Sequence, residues 1–344
     1  MKKIALFPVA ALLFLGACSD DEEQRPVPND PVQTVAPVAD DVTLNAPALT
    51  DIKADGSNFR ASYANNQEIV YSLASHATQG YIAIVKRIEG SAADVVVPAS
   101  VSYNGNDFKV YCLDLYVDGI SDNVTSLTLP STAVAMVKND NYVAADAAYL
   151  RAQFERGHSL TKIELENGFR GYSSINGAVY TDNLETLVSV PRAAAGTFTV
   201  ADGTTTIDDR AFYYCQSLDV ITFPASVESI GSEAVTFTDN LLLINSLATV
   251  PPTCPEDAFG KYAHDGVLRV PAAAKDAYTP AKPDVEEPVV PAEPAEDASD
   301  EEWDKYYDDL DAYTAAKAEY DEIMEAYNAV AGWLPFHNIE GVTF

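Results

Sequence analysis

The amino-acid sequence predicts a repeat solenoid of the α+β type, built from short strands and short helices or turns, with a β-rich N-terminal cap and a long C-terminal amphipathic helix. Three observations support this prediction. The segment around residue 221 overlaps itself when it is shifted by 23 residues, a period typical of stacked units that cannot bury their apolar faces alone. A tyrosine stripe near the C-terminus has helical spacing. A tetrapeptide of the form apolar-x-apolar-Pro occurs as VVVP (95–98), LTLP (127–130), VSVP (188–191), ITFP (221–224) and LRVP (268–271).

The first residues predict an export signal. Residues 1–17 combine two lysines with an apolar run too short to span a bilayer, which is typical of a cleaved signal peptide. LGAC at 15–18 resembles the lipobox of bacterial lipoproteins. That resemblance implies cleavage before Cys18 and attachment of a lipid to this cysteine. The alternative is an ordinary secretory signal followed by a chance cysteine.

Residues 18–50 are rich in acids and prolines and predict a disordered tether. The tether begins with the acidic run 19–23, which resembles the tract that sends some lipoproteins of Gram-negative bacteria to the outer face of the outer membrane. We therefore expect a lipid-anchored protein of the outer membrane that is exposed on the cell surface.

The formal net charge of −31 and the absence of a basic patch argue against nucleic acid as a partner. The acidity is uneven, because residues 284–325 hold 17 acids against Lys305 and Lys317. The expected partner is a protein or a glycan, in addition to the membrane that the lipid anchor would enter.

Three cysteines follow Cys18, namely Cys112, Cys215 and Cys254. Their spacing indicates neither a disulfide framework nor a zinc site. We expect buried thiols, and the sequence leaves open whether Cys215 and Cys254 are joined.

One repeat unit can be read from residue types alone. Ile207, Ala211, Cys215 and Leu218 are spaced by 4, 4 and 3 residues, which predicts a short helix or helical turn with one apolar face. The strand 221–223 then alternates, so that isoleucine and phenylalanine point inward and threonine outward. A proline ends the strand because it has no N–H for the ladder.

IDDRAFYYCQSLDVITFPASVESIGSEA at 207–234 resembles the BspA-type leucine-rich repeats of bacterial surface proteins. The resemblance extends upstream to the loop and hairpin segment from residue 173 and downstream to GVLRVPAAAKDAY (266–278) and GWLPFHNI (332–339). It implies adhesion to host proteins or to other cells, without catalysis and without a cofactor.

The chain divides into predicted segments on these grounds. An Asn-Gly turn at 104–105 between alternating residues predicts a hairpin in the cap. Val143, Ala147, Leu150 and Phe154 predict a helix on the flank. The predicted segments are a signal peptide 1–17, a tether 18–50, a cap 51–125, repeats 126–279, a proline- and glutamate-rich linker 280–298, an amphipathic helix 299–331 and a closing segment 332–344.

The helix 299–331 interrupts the closing unit, and this departs from the family pattern. It begins with a capping box at 299–302 and presents one stripe. The stripe either packs on the solenoid and covers its end, or it forms a partner-binding or self-pairing face. The candidate partner residues are Trp303, Tyr306, Leu310, Tyr313, Tyr320 and Tyr327.

The outward strand residues predict a second candidate surface along one face of the stack. Its alternative is an ordinary solvated sheet face. No catalytic motif occurs, and neither catalytic nor metal-ligating residues are predicted. The candidate binding residues are Thr128, Glu164, Ser189, Thr222 and Arg269.

These observations predict a non-enzymatic cell-surface lipoprotein that acts as a leucine-rich-repeat binding or adhesion module for host proteins or other cells. The alternative is an accessory component of a surface glycan-capture or transport assembly, which would dock its partner through the C-terminal helix. A hydrolase finds no supporting motif.

Overall fold

The signal peptide, Cys18 and almost all of the tether lie outside the part of the chain that the structure describes, so the lipid anchor remains a prediction. No helix in the described part is long and apolar enough to cross a membrane. The computed structural model describes residues 42, 44–115, 119–133, 135–138, 141–144, 146–262 and 266–344.

Short strands dominate the described chain. The helices are α1 (Ala147–Phe154), α2 (Lys275–Tyr278) and α3 (Asp300–Asn328). The strands are β1 (Leu49–Asp55), β2 (Asn58–Tyr63), β3 (Gln67–His76), β4 (Gly80–Gly90), β5 (Asp94–Val96), β6 (Ser100–Tyr103), β7 (Asn106–Leu113), β8 (Ser126–Leu129), β9 (Ala135–Lys138), β10 (Asn141–Ala144), β11 (Lys162–Leu165), β12 (Tyr172–Ile175), β13 (Ala178–Thr181), β14 (Thr186–Ser189), β15 (Ala195–Thr199), β16 (Thr206–Ile207), β17 (Ser217–Phe223), β18 (Ser229–Ile230), β19 (Leu243–Ser246), β20 (Val267–Pro271) and β21 (Asn338–Val342).

The N-terminal part is a sheet with the strand order β1-β2-β3-β4-β7-β9-β10, and β6 pairs with β7. The predicted hairpin is confirmed, because β6 and β7 are antiparallel and joined by Asn104 and Gly105. Both turn residues have positive φ, +49° and +77°, as a type I′ turn requires. The sheet reaches Ala144, beyond the predicted end of the cap, and β5 within the cap already pairs in parallel with β8.

The predicted flank helix begins later than its apolar spacing suggested. Val143 belongs to β10 and pairs with Met136 of the antiparallel strand β9. Asp146 caps α1 instead, since its carboxylate accepts the N–H of Tyr149 at 2.7 Å. On the buried side of α1, Arg151 donates to Asp208 Oδ2 at 2.7 Å and so ties this helix to the repeats.

The repeats stack in parallel and in register. Residues 23 apart in sequence lie side by side, as Ile207 with Ile230 and Ile221 with Ile244. Each of these coils contributes one short strand to each of two five-stranded sheets, one containing β16 and β18, the other β17 and β19. The 23-residue overlap seen in the sequence is therefore the stacking period of the coils.

The prediction of a short helix or a helical turn between the two strands of a coil is met by turns. The burial pattern behind it was right, because Ile207, Ala211, Cys215 and Leu218 are all at most 1% exposed. The backbone N–H groups alternate between carbonyls three residues earlier in the same turn and carbonyls of the next coil. The bonds to the next coil run from the N–H groups of Arg210, Phe212 and Tyr214 to the carbonyls of Ser232, Ala234 and Thr236 at 3.0, 2.8 and 3.1 Å.

The chain closes the stack after a long excursion. Strand β21 pairs in parallel with β20, and Ile339 lies beside Leu268. Trp333 is fully buried, contacts the rings of Phe259 and Tyr278, and donates its indole N–H to the carbonyl of Pro252 at 2.7 Å. The segment 332–344 thus occupies the closing position that its sequence predicted.

The cysteines Cys112, Cys215 and Cys254 are free and buried, as expected, and burial raises the pKa of each thiol to about 12. Because the thiolate is the reactive form, these groups should be inert in the folded chain at about pH 8. In a Cys18→Ser variant we expect no reaction with Ellman's reagent until denaturant is added, when three thiols react.

Reaction of a thiol in the folded chain would contradict this burial. Recovery of one thiol in denaturant without reductant would show that two of the three are joined.

Candidate binding surfaces

The predicted strand-face residues do not share one face. Thr128 and Glu164 lie side by side in the small sheet of β5, β8 and β11, whereas Thr222 and Arg269 belong to the sheet of β17 and β20. Ser189 lies in a third sheet, because its strand β14 pairs with β13 and, in parallel, with β16.

Three of these five residues are also buried. Thr128, Ser189 and Thr222 are 7%, 5% and 2% exposed, which corrects the expectation of an open polar row. Neighbouring coils cover them, since Asn245 donates to the hydroxyl of Thr222 at 3.1 Å. Only Glu164 and Arg269 keep partial exposure.

The outward side chains instead bind one another along the stack. Parallel register aligns Thr222, Asn245, Arg269 and Glu340 in one ladder. Arg269 donates to the Glu340 carboxylate at 2.7 Å, so that the ion pair links β20 to the closing strand. The ladder therefore joins coils and offers few free polar groups.

The long helix α3 has no buried residue, which argues against packing of its stripe on the repeats. The predicted capping box is present, since Ser299 and Glu302 exchange both bonds. The stripe is half-buried, while the residues between its members are exposed apart from Ile323, which is also half-buried. Its members are Trp303, Tyr306, Leu310, Tyr313, Lys317, Tyr320, Met324 and Tyr327.

The proline-rich segment before the helix runs beside this stripe. Lys317 on the stripe lies 3.7 Å from the carboxylate of Glu287 in the linker. The linker prolines Pro288, Pro291 and Pro294 are half-buried, whereas the residue after each of them is exposed. A turn that bonds Ala298 N–H to the Ala295 carbonyl at 2.9 Å reverses the chain between the two segments.

The tyrosines of the helix and the prolines of the linker recur at similar distances along their segments. Tyrosines every seven residues of a helix recur at about 10.5 Å, and prolines every three residues of a polyproline II segment recur at about 9.3 Å. With the chain reversed and Glu287 beside Lys317, the matching spacings predict that Pro294, Pro291 and Pro288 lie opposite Tyr306, Tyr313 and Tyr320 in turn. Residues 280–328 thus form a hairpin, which we call the proline–helix hairpin, and we infer that its prolines cover the stripe.

This hairpin is rooted in the last coil. Its ends follow Tyr278 and precede Trp333, both fully buried. Cys254 donates its N–H to the carbonyl of Ala329 at 2.9 Å, and a shallow groove of about 290 Å³ lies at this junction.

Replacing the three prolines Pro288, Pro291 and Pro294 by glycine should uncover the stripe and loosen α3. We expect hydrogen exchange at the amides of 306–327 to accelerate at least tenfold, because packing rather than propensity stabilises most helices. The matched control likewise places glycine at Val289, Ala292 and Ala295, which have the same spacing but lie on the exposed side of the linker.

Equal exchange in both variants would show that the prolines do not support the helix. Protection in the repeats should be unchanged in either variant.

A surface that the sequence analysis missed lies on the turns of the repeats. Tyr214 and Phe237 stack with ring centroids 4.5 Å apart at an interplanar angle of 14°. The guanidinium of Arg192 lies 4.8 Å from the Tyr214 ring centroid, and Tyr213 meets the Phe237 ring edge-on at 84°. We call Arg192, Tyr213, Tyr214 and Phe237 the aromatic column.

The aromatic column is exposed and conformationally costly. Phe237 is 47% and Tyr214 36% exposed, and their φ values are +56° and +61°. Side chains in this left-handed region cost about 1–2 kcal/mol, and stacking returns about 0.5–1.5 kcal/mol. The third coil has its left-handed residue 23 positions further on at Gly260, which adds no ring.

Polar groups surround the column. Arg210 pairs with Glu233 at 2.5 Å and lies 5.2 Å from the Tyr213 ring centroid. Gln216 donates to the carboxylate of Asp239 at 3.2 Å. The spacing of Tyr214 and Phe237 by one period was the signal that could have revealed the column. No group of three or more metal-ligating side chains is found in the described ranges.

Residues 193–261 match the family model described as BspA type Leucine rich repeat region, with six copies, so the predicted repeat type is confirmed over this range. No curated protein matches the chain.

Three solved bacterial structures are similar to parts of this chain. A leucine-rich repeat protein from Eubacterium ventriosum is 18% identical over 47% of this chain and 45% of its own, with a TM-score of 0.30. One from Bacteroides ovatus is 16% identical over 60% and 52%, with a TM-score of 0.36. A leucine rich cell surface protein from Faecalibacterium prausnitzii is 12% identical over 86% and 96%, with a TM-score of 0.30. The alignments thus span about half of the first two proteins.

Proposed function

Because residues 193–261 are a BspA-type leucine-rich repeat region, we propose that the chain is a non-catalytic recognition module that attaches a bacterial cell to host proteins or to other cells. We place it on the outer membrane, held by a lipid on Cys18 and exposed at the cell surface. The signal sequence, the LGAC tetrapeptide and the acidic run that follows it support this placement.

The observation that supports recognition most directly is the aromatic column. Tyrosine, other aromatics and arginine supply most of the binding energy at interfaces, and here they project from turns. The coils behind them are tightly packed, with Phe212 fully buried under the exposed pair. The rings are therefore held in place before any ligand arrives, which lowers the entropy cost of binding.

The other two candidate surfaces are less suited to this role. The strand-face residues satisfy one another within the stack, and the stripe of α3 faces the linker prolines. A partner of the proline–helix hairpin would meet its acidic outer side and the exposed Tyr307 instead. If an accessory protein docks on the hairpin, the outer side of α3 is therefore the surface that it would contact.

The proposal predicts saturable binding of the full chain, solubilised in detergent, to at least one immobilised matrix protein (collagen, laminin or fibronectin) or to epithelial cells. The variant Tyr213→Ser, Tyr214→Gly, Phe237→Gly should bind at least tenfold more weakly, because it removes the exposed rings. Surface plasmon resonance measures the affinities.

The matched control Tyr81→Ser, Tyr307→Ser removes two other exposed rings, 51% and 55% exposed, and should bind as the natural chain does. Absence of binding to the whole panel would contradict the adhesion proposal. Weaker binding only in the control would move recognition to the hairpin or to the N-terminal sheet.

A further inference from the structure

The aromatic column ends at an open ring face. Arg192 lies over one face of Tyr214 and Phe237 stacks on Tyr214, so that the middle ring is enclosed between them. Tyr214 also occupies one face of Phe237. In the part of the chain that the structure describes, no ring or cation stacks on the other face of Phe237, and this residue is 47% exposed. The column therefore presents one planar apolar face to solvent.

The described part of the next coil has glycine at the position equivalent to Phe237. Residues 23 apart follow the sequence Tyr214, Phe237 and Gly260, all with positive φ. Gly260 brings no side chain toward the column, and a Cβ there would lie only 3.0 Å from the methyl carbon Thr236 Cγ2. The third position of the series therefore carries no ring, and its positive φ together with the Thr236 side chain favours glycine there.

The polar groups around the column make hydrogen bonds to one another, and two guanidinium groups stand against two carboxylates. Arg192 and Arg210 oppose Glu233 and Asp239, and the amides of Gln216 and Asn240 lie among them. A strongly anionic ligand would meet both carboxylates, and a cationic ligand both guanidinium groups. The surroundings suit a neutral ligand that has an apolar face and many hydroxyl groups.

We propose that the open face of Phe237 binds a pyranose ring of a neutral glycan. The C–H groups on one face of the sugar would stack on the aromatic ring, whose face is electron-rich. Planar amide and carboxylate groups such as Gln216 and Asp239 are suited to pair with neighbouring hydroxyls on the sugar rim. This inference rests on the proposed recognition function and names its ligand class.

A protein partner would use the same rings differently. Protein hot spots lie within patches from which surrounding contacts exclude water. Here Gln216, Asp239 and Asn240 are exposed polar neighbours of the two rings. The single open ring face within a polar rim is suited to a sugar, whereas a protein partner would have to cover the rings of the whole column.

The test measures binding of the full chain, solubilised in detergent, to neutral hexasaccharides of glucose, mannose, xylose and galactose by isothermal titration calorimetry. Heparin serves as the anionic contrast. We expect saturable binding of at least one neutral hexasaccharide and none of heparin. The variant Phe237→Gly should lose at least tenfold in affinity. It should also fold normally, because Gly260 shows that glycine suits this turn.

Two further variants keep the result interpretable. Phe237→Leu keeps apolar bulk without a planar face and should also lose affinity, whereas Tyr81→Ser removes an exposed ring elsewhere and should not. Far-ultraviolet circular dichroism and thermal unfolding confirm that each variant is folded.

Each outcome bears on one proposal. Glycan binding that survives Phe237→Gly would overturn this site, and so would binding of none of the neutral hexasaccharides. Binding of matrix proteins alone would overturn the glycan inference but leave the adhesion proposal standing. If neither the matrix-protein and cell panel nor the glycan panel is bound, both the adhesion proposal and the glycan inference are overturned.

Discussion

The parallel, in-register stacking of coils is the constraint on which the rest of this structure depends. Once Ile221 lies beside Ile244, the remaining positions of this coil also lie beside the equivalent residues of the next coil, 23 positions later in the sequence. The inward positions become a continuous core, the outward strand positions become a ladder of paired polar groups, and the turns become a column of rings. Each of these features is one kind of position repeated along the stack. The register persists where the spacing changes, since Asn245 pairs with Arg269, 24 residues on.

The same stacking separates covered side chains from projecting ones. A strand residue between two coils has a neighbour on either side, and the ladder from Thr222 to Glu340 uses those neighbours as hydrogen-bond and ion-pair partners. A turn residue has no strand across it, and a left-handed turn directs its side chain away from the backbone. The exposed aromatic rings therefore lie on turns such as those of Tyr214 and Phe237, where we propose recognition, and not on the strands, where outward alternation suggested it.

The proline–helix hairpin shows that an amphipathic stripe does not by itself imply a partner. The closing unit tolerates an excursion of this size because its two halves, Tyr278 and Trp333, meet in the core with ring centroids 5.1 Å apart. Outside that root, we infer that the prolines preceding the stripe in sequence cover it. The helical heptad and the three-residue proline repeat have similar lengths, which would let this cover continue along the helix.

Much of this architecture was readable in the sequence, because burial leaves a periodic mark. The 23-residue period, the buried positions from Ile207 to Leu218, the Asn-Gly hairpin, the closing strand and the start of α3 all follow from residue types and spacing. The partners of backbone groups leave no such mark. Whether Arg210 and Phe212 donate along a helix or to the next coil was decided only in the stack, which selected turns over a short helix and placed two distant aromatic rings face to face. The sequence determined what is buried and how often, whereas the tertiary structure decided what each exposed residue lies beside.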